Sequence, residues 1–191
     1  MNTLPLLPDL KDYKLPKTLP TLVVDMEVLF KDIHYSHGWK LFKRQRLDDL
    51  LKFASNHFEL IIWSSEKFPL GQTMILGCGI SCMGVLHQNN LSYCGGKYYK
   101  DLRRLGRDIH RVVRVTTSTQ NILADQEDNT IVLDGSRDDC LDGLTNYLKT
   151  LSLAKGDLRP KIRECNRQDC IDKYKTRDVT GFLSRLIGLA G

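Results

Sequence analysis

No run of apolar residues in this 191-residue chain approaches the roughly 20 needed to span a bilayer as a helix. The longest candidates, Leu22–Leu29 and Leu60–Trp63, are of strand length. Met1–Pro20 lacks the apolar core of a secretory signal and the Arg-rich, acid-poor character of a mitochondrial presequence. With Pro5, Pro8, Pro16 and Pro20 it reads instead as an extended arm lying across a surface. Neither an RNA-recognition aromatic signature nor zinc-finger spacing is present, and no internal repeat or low-complexity segment stands out. Cys78 and Cys82, like Cys165 and Cys170, are close in sequence, but no histidine stands at ligand spacing beside either pair. A structural zinc is therefore not expected. The six cysteines, Cys94 and Cys140 included, read as scattered thiols of a reduced compartment.

What is present is the composition of a soluble globular protein, 41% hydrophobic and 27% charged. The length supports one well-buried domain and not two. The net charge of +5 comes from 28 Lys and Arg against 23 Asp and Glu. Much of it gathers in Lys97–Arg114 and Lys155–Arg177, where acids are interspersed, so both stretches read as solvated mixed-charge surface and no nucleic-acid partner is expected.

Thr21–Leu29 is an apolar, β-branched run and predicts a buried central strand. Asp25 and Glu27 lie near its carboxyl end, and on a strand their spacing points both side chains the same way. Leu47, Leu50, Leu51 and Ala54 recur at helical spacing, predicting a helix over 46–56. Phe58–Trp63 is the next buried strand and ends in Ser64-Ser65; a helix over 70–76 follows. Leu91–Tyr99 predicts a hairpin with Gly95-Gly96 as its tight turn. Val112–Val115 and Thr130–Leu133 are further strands, and Leu141, Leu144, Leu148 and Leu151 mark a helix over 138–153. Alternating strands and helices imply an α/β fold, a parallel sheet covered by helices on both faces. Ligands of such sheets bind at the carboxyl ends of the strands, where Asp25, Ser64 and Thr116 gather. The organisation expected is an arm (1–20), one α/β domain (21–154), and a charged spacer with a short amphipathic helix (155–191).

The order of these pieces resembles the haloacid-dehalogenase-like (HAD) superfamily, in its NLI-interacting-factor-like branch of C-terminal-domain phosphatases. Within that branch it is most similar to the large receptor subunits of the mitochondrial inner-membrane presequence translocase. The resemblance rests on Thr21–Leu29, His37-Gly-Trp-Lys40, Lys43-Arg44, Phe58–Ser65, Lys100–Asp108, Val112–Val115, Asp134–Leu151 and Asp157-Leu-Arg-Pro160, and covers residues 20 to 160. It implies a HAD-like Rossmannoid fold with the 91–99 hairpin as a protruding insert. It also implies catalytic positions: Asp25 as nucleophile and Mg2+ ligand, Glu27 in place of the acid, Ser64 as the second-strand hydroxyl, and Lys100 for the phosphate. The sequence departs from the pattern where Thr116 replaces the fourth-motif acid, where Gln45-Arg46 replaces Pro-Gly, and where Asp134-Gly135 replaces an aromatic. Mg2+ normally takes one or two carboxylates, and a threonine hydroxyl is a neutral, weak ligand. The four catalytic positions are therefore read as vestigial, with no cofactor expected and Asp25 the one remaining metal ligand. Three of them also have a plain structural reading: Asp25 as an acceptor for backbone amides, Lys100 as its ion-pair partner, Ser64 as a turn cap.

Three functions compete. The first is a preprotein-import component, the second an accessory subunit of a mitochondrial membrane-associated complex; in both the fold is a protein-binding module. The alternative is an active Mg2+-dependent serine/threonine phosphatase, in cytoplasm or nucleus. The partners expected of the non-enzymatic readings are protein subunits at the mitochondrial inner membrane. Tyr93, Tyr98 and Tyr99 on the hairpin offer a contact surface, since tyrosine combines a rigid apolar body with a polar tip. In the tail, Phe182, Leu183, Leu186 and Ile187 form an apolar stripe beyond the spacer, suited to another subunit or a membrane surface.

Overall fold

The computed structural model describes residues 4–35, 38–137 and 139–168. The β-branched run at Thr21 forms strand β1 (Thr21–Asp25), and the chain then makes one helical turn, α1 (Met26–Leu29). Glu27 therefore sits on a helical turn and not on the strand, which ends at Asp25. An antiparallel hairpin follows, β2 (Phe30–Tyr35) against β3 (Gly38–Lys43). Its alternation was not legible as strand in the sequence. Helix α2 (Leu47–His57) buries Leu47, Leu50, Leu51 and Ala54, the expected stripe. Next come β4 (Glu59–Trp63), α3 (Leu70–Gly77), and the short strand β5 (Gly84–Leu86), which sequence periodicity did not reveal. Strands β6 (Ser92–Cys94) and β7 (Lys97–Tyr99) form the Gly-Gly hairpin. Gly95 and Gly96 have φ of 57° and 81°, the left-handed pair that a two-residue turn requires. The remaining elements among the described residues are β8 (Val112–Thr116), β9 (Thr130–Val132), α4 (Asp142–Ser152) and α5 (Arg159–Gln168).

The main sheet is parallel in the order β5-β4-β1-β8-β9. Strand β1 is central, and the chain builds first to one side of it and then to the other. Side chains alternate across the sheet. Leu22, Val24, Leu60, Ile62, Val113, Val115 and Ile131 join the larger core with Leu50, Leu144, Leu148 and Leu151 of α2 and α4. Val23, Ile61, Trp63 and Val112 face a smaller cluster, closed by Leu7 of the arm and by Leu102 and Leu105 of a 3-10 turn. The sheet is thus covered on both faces, by α-helices on one and by 3-10 turns and the arm on the other.

The arm is tied down by Leu6 N donating to Arg104 O (2.7 Å) and Arg111 Nη2 donating to Thr18 O (3.0 Å). The core does not end at Leu153. Leu158, Ile162 and Cys165 are buried in the larger cluster, at the spacing of one helix face. Residues 158–168 therefore belong to the domain and are not a charged spacer; the many charges lie on the outer face of α5. Cys165 is disulfide-bonded, so it is not the free thiol expected. Cys78, Cys82, Cys94 and Cys140 are free. The tail stripe Phe182, Leu183, Leu186 and Ile187 lies outside the described residues. Among those described, no helix is long and apolar enough to cross a membrane.

Candidate functional site

Asp25 ends the central strand and is wholly buried. A buried carboxylate must be matched by hydrogen bonds and charge, and this one is matched twice. Arg114 Nη2 donates to Oδ2 at 2.7 Å and Arg114 Nε to Oδ1 at 3.3 Å. Lys100 Nζ lies 3.0 Å from Oδ2. Burial would push the Asp25 carboxyl up, but the Lys100 and Arg114 charges outweigh it and hold the group below the usual carboxylate range.

Arg114 was not foreseen, and with Lys100 it lies in the stretch expected to be solvated surface. Instead the Lys100 and Arg114 side chains are only 1% and 2% exposed. The signal was available: a basic residue inside the β-branched run Val-Val-Arg-Val-Thr cannot stay unpaired in a strand buried along its whole length. Register supplies the partner. Arg114 pairs with Val23 across the β1–β8 ladder, so Arg114 and Asp25 project from the same face of adjacent strands.

Lys100 follows β7 and reaches the site from the smaller face, where its Nζ also donates to Trp63 O at 3.4 Å. The next residue fixes it in place. Asp101 caps the 3-10 turn over Leu102–Leu105, accepting from Arg103 N at 3.1 Å and from Gln126 Nε2 at 2.7 Å. Glu27 is 3.8 Å from Lys100 Nζ and a third exposed. Burial, and then the Asp25 charge, raise its carboxyl above the ordinary glutamate range.

The two hydroxyl positions are engaged locally. Ser64 Oγ accepts from Glu66 N at 3.0 Å and lies 3.4 Å from Met26 Sδ. Thr116 Oγ1 donates to Ser118 O and accepts from Ser118 N, both at 3.2 Å. Of the four expected site residues, the structure joins Asp25, Glu27 and Lys100 into one charge cluster and leaves Ser64 capping its own turn. Gly71 lets α3 close onto that turn, because a Cβ there would meet Ser64 Oγ at 2.4 Å.

A magnesium ion needs hard oxygen ligands with lone pairs to give. Here both Asp25 oxygens already accept from a guanidinium, an ammonium stands beside them, and Thr116 offers a hydroxyl committed to its turn. The carboxylate these residues would bring to the ion, Asp25, is already paired with two cations.

The hairpin carries its tyrosines outward. Tyr93 and Tyr98 are 67% and 57% exposed, and their rings pack with centroids 5.0 Å apart. Tyr99 is half-buried at the base.

The chain is 26% identical over 174 residues to the mitochondrial import inner membrane translocase subunit TIM50 of Gibberella zeae, covering 87% of this chain and 33% of that protein. It is 30% identical over 177 residues to the TIM50 of Debaryomyces hansenii (87% and 37%) and 25% identical over 183 residues to that of Arabidopsis thaliana (91% and 48%). The chain spans about a third of the length of the curated fungal relatives it matches. Among solved structures it is similar to Fcp1, an essential RNA polymerase II CTD phosphatase, with a TM-score of 0.47 and 15% identity over 92% of this chain and 55% of that one. Residues 12–159 match the family described as NLI interacting factor-like phosphatase. That match spans the whole parallel sheet and the charge cluster at its carboxyl edge, and the chain belongs to this family.

Proposed function

We propose that this chain is a catalytically degenerate phosphatase domain that works as a protein-binding subunit of the mitochondrial inner-membrane import machinery. One observation carries the non-catalytic half: both Asp25 oxygens accept from Arg114, with Lys100 at 3.0 Å. A nucleophile and metal ligand so paired has its charge neutralised by two buried cations, which disfavours a further cation beside it, and Thr116 brings no acid to complete a hard-cation site. We therefore propose that no Mg2+ binds and that Asp25, Glu27, Ser64 and Lys100 are kept for structure. The import half is supported by the likeness to the TIM50 subunits. Protein partners would be met through the exposed Tyr93 and Tyr98, and through the tail stripe of Phe182, Leu183, Leu186 and Ile187 against a subunit or membrane surface.

Two measurements test this. The purified protein should turn over p-nitrophenyl phosphate no faster with Mg2+ than with EDTA; turnover that EDTA abolishes, that Mg2+ restores and that is absent from a folded Asp25→Asn variant overturns the pseudoenzyme reading. The tagged chain, expressed at native level, should co-purify from mitochondria with inner-membrane import subunits. Recovery with a different mitochondrial assembly would make it an accessory subunit of that assembly, and an extramitochondrial location would sink both.

A further inference from the structure

Arg114 is the only basic residue in the five parallel strands, and its three guanidinium nitrogens are all used. Two go to Asp25, and Nη1 donates to Asn121 O at 3.0 Å. One planar cation thereby ties the carboxyl end of β1 to the loop that follows β8. A divalent ion at such a sheet edge does two things: it neutralises the first-strand carboxylate, and it bridges that strand to a ligand after the later strand. The guanidinium does both while fixed to the chain. The complementary change lies two residues on, on the same face of β8, where Thr116 is neutral and holds Ser118. The cluster is then balanced without any ion, Asp25 and Glu27 against Lys100 and Arg114.

We infer that Arg114 is a tethered replacement for the divalent cation, holding Asp25 and the 116–121 loop together so that the domain neither needs nor admits a metal. This rests on the non-catalytic reading of the site.

A double-mutant comparison tests the pairing on the full chain. Asp25→Asn alone leaves Arg114 and Lys100 buried with Glu27 as the one acid, and the melting temperature should fall by roughly 10 °C. Adding Arg114→Met removes the stranded charge, so the double variant should recover at least half of that loss. A double variant that melts lower than Asp25→Asn overturns the inference. Should Asp25→Asn fail to fold, a folded, cooperatively melting double variant supports the pairing and an unfolded one overturns it. In a second arm the wild-type protein is melted with and without millimolar MgCl2. No shift is expected, and a saturating rise in melting temperature overturns the inference. Failure of the non-catalytic reading would be seen in the phosphate-ester assay instead, which neither arm uses.

Discussion

Arg107 grips Glu59 with two hydrogen bonds, Nη2 to Oε1 at 2.6 Å and Nε to Oε2 at 2.7 Å, beneath the amino ends of the central strands. Both side chains are nearly inaccessible, at 6% and 1%. Thr21 Oγ1 donates to the same carboxylate at 2.8 Å, and Arg107 Nη2 also holds Pro8 O at 2.7 Å. The pair therefore joins β1, β4 and the arm. Removing one partner strands the other, which costs about 3–5 kcal/mol for a buried pair. Glu59→Gln should lower the melting temperature by roughly 10 °C. A loss under about 2 °C would mean that Arg107 finds solvent and the pair is not closed.

Arg46 sits at φ 59°, the left-handed region, immediately before α2. This is where the family resemblance puts glycine, and the kink is present despite the arginine. Holding a side chain there costs roughly 1–2 kcal/mol. Arg46 returns little, since its contact to Asp142 is 3.4 Å between half-exposed groups and such pairs contribute about 0–1 kcal/mol. Arg46→Gly should therefore leave thermal stability unchanged or raise it by about 1 kcal/mol after the entropy glycine adds to the unfolded chain. A clear drop in melting temperature would show that the ion pair outweighs the strain.

Glu27 and Asp25 respond to pH in opposite senses. Asp25 is depressed in the fold, so its contribution is present above its ordinary value near 3.8 and is lost as pH falls through the lower folded value. Glu27 is raised in the fold, so its favourable contribution is complete below its ordinary value near 4.5 and is lost as pH rises through the higher folded value. Glu27→Gln mimics the protonated form. Its melting temperature should exceed that of the wild type at pH 7 and converge with it near pH 4. A variant less stable at pH 7 would show that the ion pair with Lys100 dominates instead.

The hairpin prediction concerns binding without folding. Tyr93 and Tyr98 pack against each other with tilted rings, and both are largely exposed. Replacing both with serine should leave the melting temperature within about 2 °C of wild type, the range of ordinary surface changes. Under the proposed function, co-purification of inner-membrane import subunits should fall at the same time. Unchanged recovery of those subunits would remove the hairpin from the interface.

Local pattern made much of the sheet and helices legible. The β-branched runs at Thr21, Phe58 and Val112 had to be buried strands, and the leucine spacings in α2 and α4 had to be helix faces. Gly95-Gly96 specified a tight turn because only glycine takes two successive left-handed conformations without strain. Asp25 and Lys100 were placed by the order of motifs. The rest depended on distance in the chain. Leu158, Ile162 and Cys165 read as scattered apolar residues among charges until β9 and the 3-10 turn before it supply a surface for them. Glu27 left the strand because the chain turns into a helix at Met26. The deciding contact of the site, Arg114 with Asp25, joins residues 89 positions apart. Composition and periodicity report a residue's preference for burial or for a backbone shape, and those are short-range quantities. Which buried charge meets which is set by strand order and register, and only the folded sheet brings β8 beside β1 so that a guanidinium can take the carboxylate.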